Sequence, residues 1–153
     1  MKVLMVCLGN ICRSPVAEGI LRHKLRAMKE VEFQTDSAGT AAYHVGERAD
    51  ARMILTARKN GIDIDDLRAR QFEEADFEKF DLIYVMDKSN LENVLALAKN
   101  EEDEKKVKLI LNEIFPDEDR EVPDPYYGGD QGFQDVFDML DDATDQIIAK
   151  YIA

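Results

Sequence analysis

The sequence predicts an α/β fold in which a four-stranded parallel sheet carries helices on both faces. Short apolar stretches that are typical of buried strands recur along the chain, and amphipathic segments with helical spacing separate them. Alternating strands and helices require crossover connections, and such connections produce a parallel sheet. We expect a single domain that spans residues 1–153, because no linker, repeat or low-complexity segment interrupts the pattern.

Four segments are predicted to form strands. The first, around Val3 to Val6, is continuously apolar, as expected for a strand that is buried on both faces. In the second, apolar and polar residues alternate. The predicted strands comprise residues 2–7, 31–36, 81–86 and 107–111. We expect the flavodoxin-like order 2-1-3-4, which places a ligand site beyond the carboxyl end of strand 1.

Helices are predicted between these strands from the spacing of apolar residues. The first is expected to have Ser14 as its N-cap and Pro15 at its first position, and to end near residue 28. Further helices are predicted at residues 48–59, 73–77 and 91–98, and from residue 132 to the end. Residues 37–46, 100–106 and 112–131 are predicted to be loops.

Composition narrows the classes of function. The chain is 45% hydrophobic and 34% charged, has no apolar run as long as a membrane span, and begins without the pattern of a signal peptide. We therefore expect a cytoplasmic protein. The net charge of −12 disfavours binding to nucleic acids or acidic membranes.

The two cysteines, Cys7 and Cys12, lie in one predicted turn. This arrangement favours a reducing compartment over a disulfide scaffold. Cysteine spacing typical of metal sites is absent, and we expect His23 and His44 to lie at the surface without a chemical role.

The segment between the first strand and the first helix carries the most specific chemical pattern. Cys7 and Arg13 stand at its ends in the form C-x5-R. A tight turn that leads into a helix N-terminus points several backbone N–H groups at one place, where they bind a phosphate-like dianion. A positive environment of this kind favours the thiolate form of a cysteine. We therefore expect Cys7 to attack phosphorus and Arg13 to hold the phosphoryl oxygens.

The sequence VCLGNICRSP, at residues 6–15, resembles the signature loop of the low-molecular-weight protein tyrosine phosphatases. Further blocks extend the resemblance, in the family's order, over nearly the whole chain. They are DSAGT at 36–40, ARQ at 69–71, MDKSN at 86–90 and DPYYG at 124–128. The resemblance implies an enzyme that hydrolyses phosphotyrosine and other aryl phosphomonoesters through a phosphocysteine intermediate, without a metal or cofactor.

The resemblance implies three catalytic residues. Cys7 corresponds to the nucleophile, Arg13 to the phosphate-binding arginine and Asp124 to the general acid. From the residues alone, an aspartate before a proline is more typical of a turn. The remaining phosphate-binding loop residues implied by the resemblance are Leu8, Gly9, Asn10, Ile11, Cys12 and Ser14.

Two further roles concern the support of the loop. Asn10 and Ser37 correspond to a pair whose hydrogen bonds stiffen it, and Ser14 corresponds to the hydroxyl that stabilises the thiolate. Relatives commonly carry a histidine near the position of Leu67, shortly before the ARQ block. This chain has none there, so we assign that role to no residue.

The resemblance also implies a substrate pocket formed by Ile11, Tyr43, Tyr126 and Tyr127. Aromatic walls stack on a phenyl ring and so favour phosphotyrosine over phosphoserine. Relatives often carry a tryptophan at the position of Tyr43, whereas this chain contains no tryptophan.

Cys12 has two interpretations. It is either a small residue packed in the turn, or the partner of Cys7 in a disulfide that reversibly protects the nucleophile from oxidation. The resemblance favours the second interpretation.

Three alternative functions are considered. Relatives that hydrolyse phosphoarginine tend to carry threonine at the position of Ile11 and to lack the tyrosine pair. Arsenate reduction would need further cysteines, and none follows Cys12. A non-catalytic phospholigand-binding module would need neither a thiolate nor an acid. We therefore expect a phosphatase that acts on a phosphotyrosine protein or a small aryl phosphate, as a monomer or weak homodimer.

Overall fold

A computed structural model describes residues 1–127 and 129–152 of the protein, apart from the side chain of Tyr127. One parallel four-stranded sheet has the order β2-β1-β3-β4, which confirms the predicted fold class and strand order. The strands are β1 (Lys2–Cys7), β2 (Gln34–Gly39), β3 (Leu82–Val85) and β4 (Val107–Leu109). The helices are α1 (Arg13–Arg26), α2 (Ala51–Lys59), α3 (Asp76–Lys79), α4 (Lys88–Leu95), α5 (Glu101–Lys106) and α6 (Asp130–Tyr151). Single 3₁₀ turns cover Ile110–Glu113 and Pro125–Tyr127.

The central strand β1 separates two hydrophobic clusters. Val3 and Met5 belong to the cluster that contains the apolar faces of α1, α2 and α6. Leu4 and Val6 belong to the opposite cluster, with side chains from α3 and α4. The continuous apolar run of β1 thus reflects burial on both faces, as predicted. In the part of the chain that the structure describes, no helix is long and apolar enough to cross a membrane.

The predicted second strand begins and ends three residues too early. The strand spans Gln34–Gly39 instead of residues 31–36, because it is paired with β1 from Lys2↔Gln34 to Cys7↔Gly39. Val31 and Phe33 lie outside the strand and pack against the cluster that contains the apolar faces of α1, α2 and α6, which we call the first hydrophobic cluster. The correction moves Ser37 from a predicted loop into a buried strand position.

The predicted loop at residues 100–106 is also wrong, because Glu101–Lys106 forms α5. Asn100 caps it by accepting a hydrogen bond from the backbone N–H of Asp103. Acidic residues occupy the first turn and lysines the last, as the helix dipole favours. No residue of α5 is buried, so the hydrophobic periodicity that reveals other helices is missing.

Several predicted boundaries differ by a few residues. The first helix begins at Arg13, and Cys12 rather than Ser14 is its N-cap, because the Ser14 hydroxyl is used inside the preceding loop. Asp50 caps α2, which therefore begins later than predicted. The fourth strand ends at Leu109 and continues as the 3₁₀ turn.

Candidate active site

The loop between β1 and α1 curls tightly beyond the carboxyl end of the central strand. Asn10 adopts a φ of +58°, in the left-handed region that asparagine tolerates. The end of β2 lies against the loop, since the N–H of Thr40 donates to the carbonyl of Cys7 over 2.9 Å. A Cβ atom on Gly39 would lie 2.7 Å from the Leu8 carbonyl oxygen, so this approach requires glycine.

Ser14 connects the Cys7 sulfur to the rest of the loop. Its Oγ lies 3.0 Å from the Cys7 Sγ and accepts a hydrogen bond of 2.7 Å from the Asn10 Nδ2. It also lies 3.4 Å from the Ala38 carbonyl oxygen. Because Asn10 supplies one hydrogen bond to the hydroxyl, the proton of Ser14 is available to the sulfur or to Ala38.

Arg13 is 2% exposed and is held from two directions. Its Nη1 donates to Asp87 Oδ2 over 2.7 Å and to the Val122 carbonyl over 3.0 Å. Burial would lower the pKa of Arg13, but the charges of Cys7, Asp87 and Asp124 outweigh burial and raise the pKa above its ordinary value. The guanidinium is thus a fixed positive charge at the loop.

Asp124 also lies near Arg13, although it is more than 100 residues later in the chain. Its Oδ2 lies 3.8 Å from the Arg13 Nη2, and its Oδ1 accepts a hydrogen bond of 3.0 Å from the Tyr126 N–H. The carboxyl side chain is 38% exposed. A carboxyl group therefore lies beside the loop without belonging to it.

A cavity of about 230 Å³ opens over these groups. Its lining residues are Cys7, Leu8, Gly9, Ile11, Cys12, Arg13, Tyr43, His44, Asp124 and Tyr126. The structure thus brings the three predicted catalytic residues together with the pocket residues Ile11, Tyr43 and Tyr126. Tyr43 is 75% exposed and forms an open wall. The prediction for Tyr127 lies outside the described side chains.

The two predicted support residues, Asn10 and Ser37, form hydrogen bonds with different partners. In the described structure no hydrogen bond joins the two side chains. Asn10 Oδ1 accepts a hydrogen bond of 3.0 Å from the Arg70 backbone N–H, and the Ser37 hydroxyl donates to Glu18 Oε1 over 2.7 Å. Leu67 packs against the first hydrophobic cluster. The Arg70 backbone therefore supports Asn10 from outside the loop, whereas Ser37 joins β2 to α1 through Glu18.

The Arg70 segment is itself held by two carboxylates. Its guanidinium contacts Asp36 over 3.0 Å and Asp76 over 3.0 Å, and Asp76 is almost fully buried. Asp76 also accepts a hydrogen bond from the backbone N–H of Glu73. This network fixes the backbone that supports Asn10.

Glu18 is a buried acid one turn of α1 beyond Ser14. It is 5% exposed, and burial raises its pKa to about 7. The hydrogen bond from Ser37 and the charge of Arg22 lower the pKa, while Asp36 and Asp66 raise it. The group beneath the loop therefore titrates near neutral pH.

Cys12 is also buried in the loop. Burial raises the pKa of its thiol, and the charges of Asp50, Cys7 and Asp124 raise it further, against a lowering by Arg52. Cys12 therefore holds its thiol proton more tightly than an ordinary cysteine does. Both cysteines are free thiols.

His44 was predicted to be a surface residue without a role, yet it lines the cavity. A Cβ atom on Gly9 would lie 3.1 Å from its Cδ2, and its Nδ1 lies 2.8 Å from Glu47 Oε2. Sequence reasoning also missed the contact of Asp87 with Arg13. Asp87 follows β3, which lies next to β1 in the sheet. Because ligand sites in such sheets lie beyond the carboxyl ends of the strands, this position could have predicted that Asp87 lies near the site.

Comparisons with known proteins show one family over nearly the whole chain. The family model described as "Low molecular weight phosphotyrosine protein phosphatase" matches residues 2–152. A relative from Synechocystis is 47% identical over 151 residues, covering 98% of this chain and 96% of the relative. The low molecular weight phosphotyrosine protein phosphatase of Schizosaccharomyces pombe is 44% identical over 149 residues, covering 96% of this chain and 94% of that protein.

Solved structures show the same similarity. The protein tyrosine phosphatase of Entamoeba histolytica, with Hepes in its active site, superposes with a TM-score of 0.89 at 39% identity and covers 98% of this chain and 96% of that chain. A Drosophila arginine phosphatase superposes with a TM-score of 0.90 at 32% identity and covers 100% of this chain and 99% of that chain.

Proposed function

The chain belongs to the low molecular weight phosphotyrosine protein phosphatase family, and from this premise we propose which of its residues carry the reaction. It is a protein tyrosine phosphatase, and its hydrolysis of phosphomonoesters proceeds through a phosphocysteine intermediate. We assign Cys7 as the nucleophile, Arg13 as the phosphate-binding group and Asp124 as the acid. The convergence of these three side chains on one cavity supports the assignment.

In the first step the Cys7 sulfur attacks phosphorus in line with the leaving oxygen. An S–P bond forms and the P–O bond to the aryl group breaks, while Asp124 gives its proton to the departing phenolate. Arg13 binds two non-bridging oxygens, and its contact with Asp87 keeps its planar fork in the loop. The loop N–H groups bind the remaining charge.

In the second step water attacks phosphorus and the S–P bond breaks. Asp124, now ionised, takes a proton from the water, so that inorganic phosphate and the Cys7 thiolate are released. Ser14 donates a hydrogen bond to the leaving sulfur, for which its distance of 3.0 Å is suitable.

We propose an aryl phosphate, and phosphotyrosine in particular, as the substrate. The aromatic side chains of Tyr43 and Tyr126 line the cavity, and Ile11 of the phosphate loop adds apolar surface to it. A flexible, charged phosphoarginine side chain gains less from such walls than a planar phenyl ring. Because an arginine phosphatase has the same fold, the substrate test includes phosphoarginine.

The test compares wild type with Cys7→Ser and Asp124→Ala on phosphotyrosine peptide and on phosphoarginine. We expect Cys7→Ser to be inactive and Asp124→Ala to lose about 10²–10⁴-fold in kcat on phosphotyrosine. Turnover of Cys7→Ser at the wild-type rate would contradict the mechanism. Faster hydrolysis of phosphoarginine than of phosphotyrosine would contradict the substrate.

We also propose that Cys12 makes the enzyme redox-sensitive. The Cys7 thiolate attacks one oxygen of hydrogen peroxide, so that an S–O bond forms, the O–O bond breaks, a sulfenic acid results and the other oxygen leaves as hydroxide. The Cys12 sulfur then attacks that sulfur and forms the S–S bond, while the Cys12 thiol proton joins the departing hydroxide, which leaves as water. Wild type should recover after peroxide when a dithiol is added, and Cys12→Ser should recover less. Equal recovery would contradict the proposal.

Finally, we propose that residues 1–153 form one catalytic domain that acts as a monomer or weak homodimer in the cytoplasm. The proposed catalytic groups all come from one chain, and the two free cysteines suit a reducing compartment. Sedimentation equilibrium tests the oligomeric state, and cell fractionation tests the location.

A further inference from the structure

We propose that Arg52 is a positioning residue for the general acid, because it ties the turn that carries Asp124 to the N-terminus of α2. The inference deepens the proposed function and rests on the role assigned there to Asp124. Arg52 lies outside the phosphate loop and does not line the cavity.

The first contact joins Arg52 to the acid-bearing turn. Its Nη2 donates to the Tyr126 carbonyl oxygen over 2.9 Å. The N–H of the same residue, Tyr126, donates to Asp124 Oδ1 over 3.0 Å. Arg52 therefore holds the peptide segment that orients the carboxyl group.

Two aromatic rings complete this attachment. The guanidinium carbon of Arg52 lies 5.3 Å from the ring centroid of Tyr126 and 4.7 Å from that of Phe133. Phe133 is fully buried in α6, so it is a rigid anchor. Cation–π attraction to both rings keeps the guanidinium between the turn and α6.

Arg52 is oriented from its other side by Asp50. Its Nε lies 3.2 Å from Asp50 Oδ1, and its Nη2 lies 3.1 Å from Asp50 Oδ2. Burial would raise the pKa of Asp50, but the hydrogen bonds from Arg52 outweigh burial and hold the pKa below its ordinary value. The carboxylate therefore stays ionised at neutral pH.

Asp50 extends the chain of contacts to the phosphate loop. Its backbone N–H donates to the Ile11 carbonyl over 2.8 Å. The contacts thus run from Ile11 through Asp50 and Arg52 to Tyr126 and Asp124. This series of contacts fixes the distance between the Asp124 carboxyl group and the phosphate loop. Proton transfer requires such a fixed distance, because the acid must lie within hydrogen-bond reach of the leaving oxygen.

The test uses substrates that differ in their need for an acid. A phenolate such as that of tyrosine, with a pKa of about 10, leaves poorly without a proton, whereas a dinitrophenolate leaves without one. We expect Arg52→Ala to lower kcat/KM about tenfold for phosphotyrosine peptide, a part of the acid's full contribution. We expect a change of less than about twofold for 2,4-dinitrophenyl phosphate.

A double-mutant cycle with Asp124→Asn distinguishes a role of Arg52 in positioning the acid from a purely structural role. If Arg52 acts through the acid, Arg52→Ala causes no further loss in the Asp124→Asn background. Arg58→Ala is the matched control, because Arg58 lies on the same helix and pairs at the surface with Asp65. It should keep wild-type kcat/KM on both substrates.

Equal losses of Arg52→Ala on both substrates, or additive losses in the cycle, would overturn the inference. If instead Asp124→Asn shows no dependence on the leaving group, the assigned acid is wrong and the inference fails with it. Circular dichroism checks folding. Should Arg52→Ala unfold, Arg52→Met, which keeps a long side chain against Phe133, takes its place under the same criteria.

Discussion

The Ser14 hydroxyl lies 3.0 Å from the Cys7 sulfur while it accepts a hydrogen bond of 2.7 Å from Asn10. Its own proton is therefore directed away from Asn10 and can reach a sulfur anion. Hydrogen bonds to charged groups contribute about 1.5–3 kcal/mol. We expect Ser14→Ala to lower kcat on aryl phosphate by about tenfold to a hundredfold.

Two measurements check this prediction. Steady-state kinetics give kcat, and the rate of Cys7 alkylation by iodoacetate at neutral pH reports how much thiolate is present. Ser89→Ala, which removes an exposed hydroxyl on α4, is the control and should change neither quantity. Unchanged alkylation in Ser14→Ala would show that the hydroxyl does not act on the sulfur.

The contact of Arg13 with Asp87 predicts a loss of stability that phosphate offsets. Asp87→Asn keeps an oxygen to cap α4 but leaves a buried guanidinium without its carboxylate. Loss of one partner of a buried pair costs about 3–5 kcal/mol, and less is expected because Asp87 is partly exposed. We expect the free energy of unfolding to fall by about 2 kcal/mol.

Urea unfolding with and without inorganic phosphate checks this prediction. The bound anion supplies new partners for Arg13, so saturating phosphate should stabilise Asp87→Asn more than wild type. Equal phosphate stabilisation of the two proteins would contradict the idea that Asp87 and phosphate satisfy the same guanidinium.

Glu18 predicts how stability depends on pH. The folded chain keeps this proton until about pH 7, whereas the unfolded chain releases it near the ordinary value of 4.5. Between these two values the folded state binds more protons, so stability falls as the pH rises through this window and is constant above it. The loss is on the order of 3 kcal/mol.

Glu18→Gln removes this titration and keeps an oxygen that accepts the Ser37 hydrogen bond. Between pH 4.5 and 7 wild type should therefore lose about 3 kcal/mol more stability than Glu18→Gln. Urea unfolding as a function of pH gives the difference, and Glu92→Gln, at an exposed position, should follow wild type. Parallel curves for wild type and Glu18→Gln would refute the prediction.

The residues of the site that lie in the loop between β1 and α1 could be predicted from the local sequence. Cys7 and Arg13 are placed by a strand end and a helix start, both of which leave signals in adjacent residues. Asp124 could be assigned only by family resemblance, because its proximity to Arg13 depends on the path of residues 110–124. Glu18 and Arg52 act through contacts between distant segments, and no local pattern marks such contacts.

The wrong position predicted for the second strand also results from contacts between distant segments, which no local pattern marks. Val31 and Phe33 alternate with polar residues and so predict a strand, but pairing with β1 sets the register three residues later. That register brings Gly39 against Leu8. The prediction of sheet order survived because it depends only on the alternation of strands and helices.

Gly39→Ala tests whether this register supports catalysis. The added Cβ would lie 2.7 Å from the Leu8 carbonyl oxygen, a backbone atom that moves only with the phosphate loop. We expect the free energy of unfolding to fall by about 1–3 kcal/mol and kcat/KM to fall at least about tenfold, since the loop must shift.

The matched control is Gly132→Ala in α6, where, among the residues that the structure describes, a new Cβ meets the Pro125 side chain at 3.9 Å, an ordinary contact. Alanine in a helix is favoured over glycine by about 0.5–1 kcal/mol, so this variant should be as stable as wild type or more. Urea unfolding and kinetics on aryl phosphate measure both variants. Wild-type kcat/KM in Gly39→Ala would mean that the loop tolerates displacement at Leu8, and that its contact with β2 does not hold the catalytic geometry.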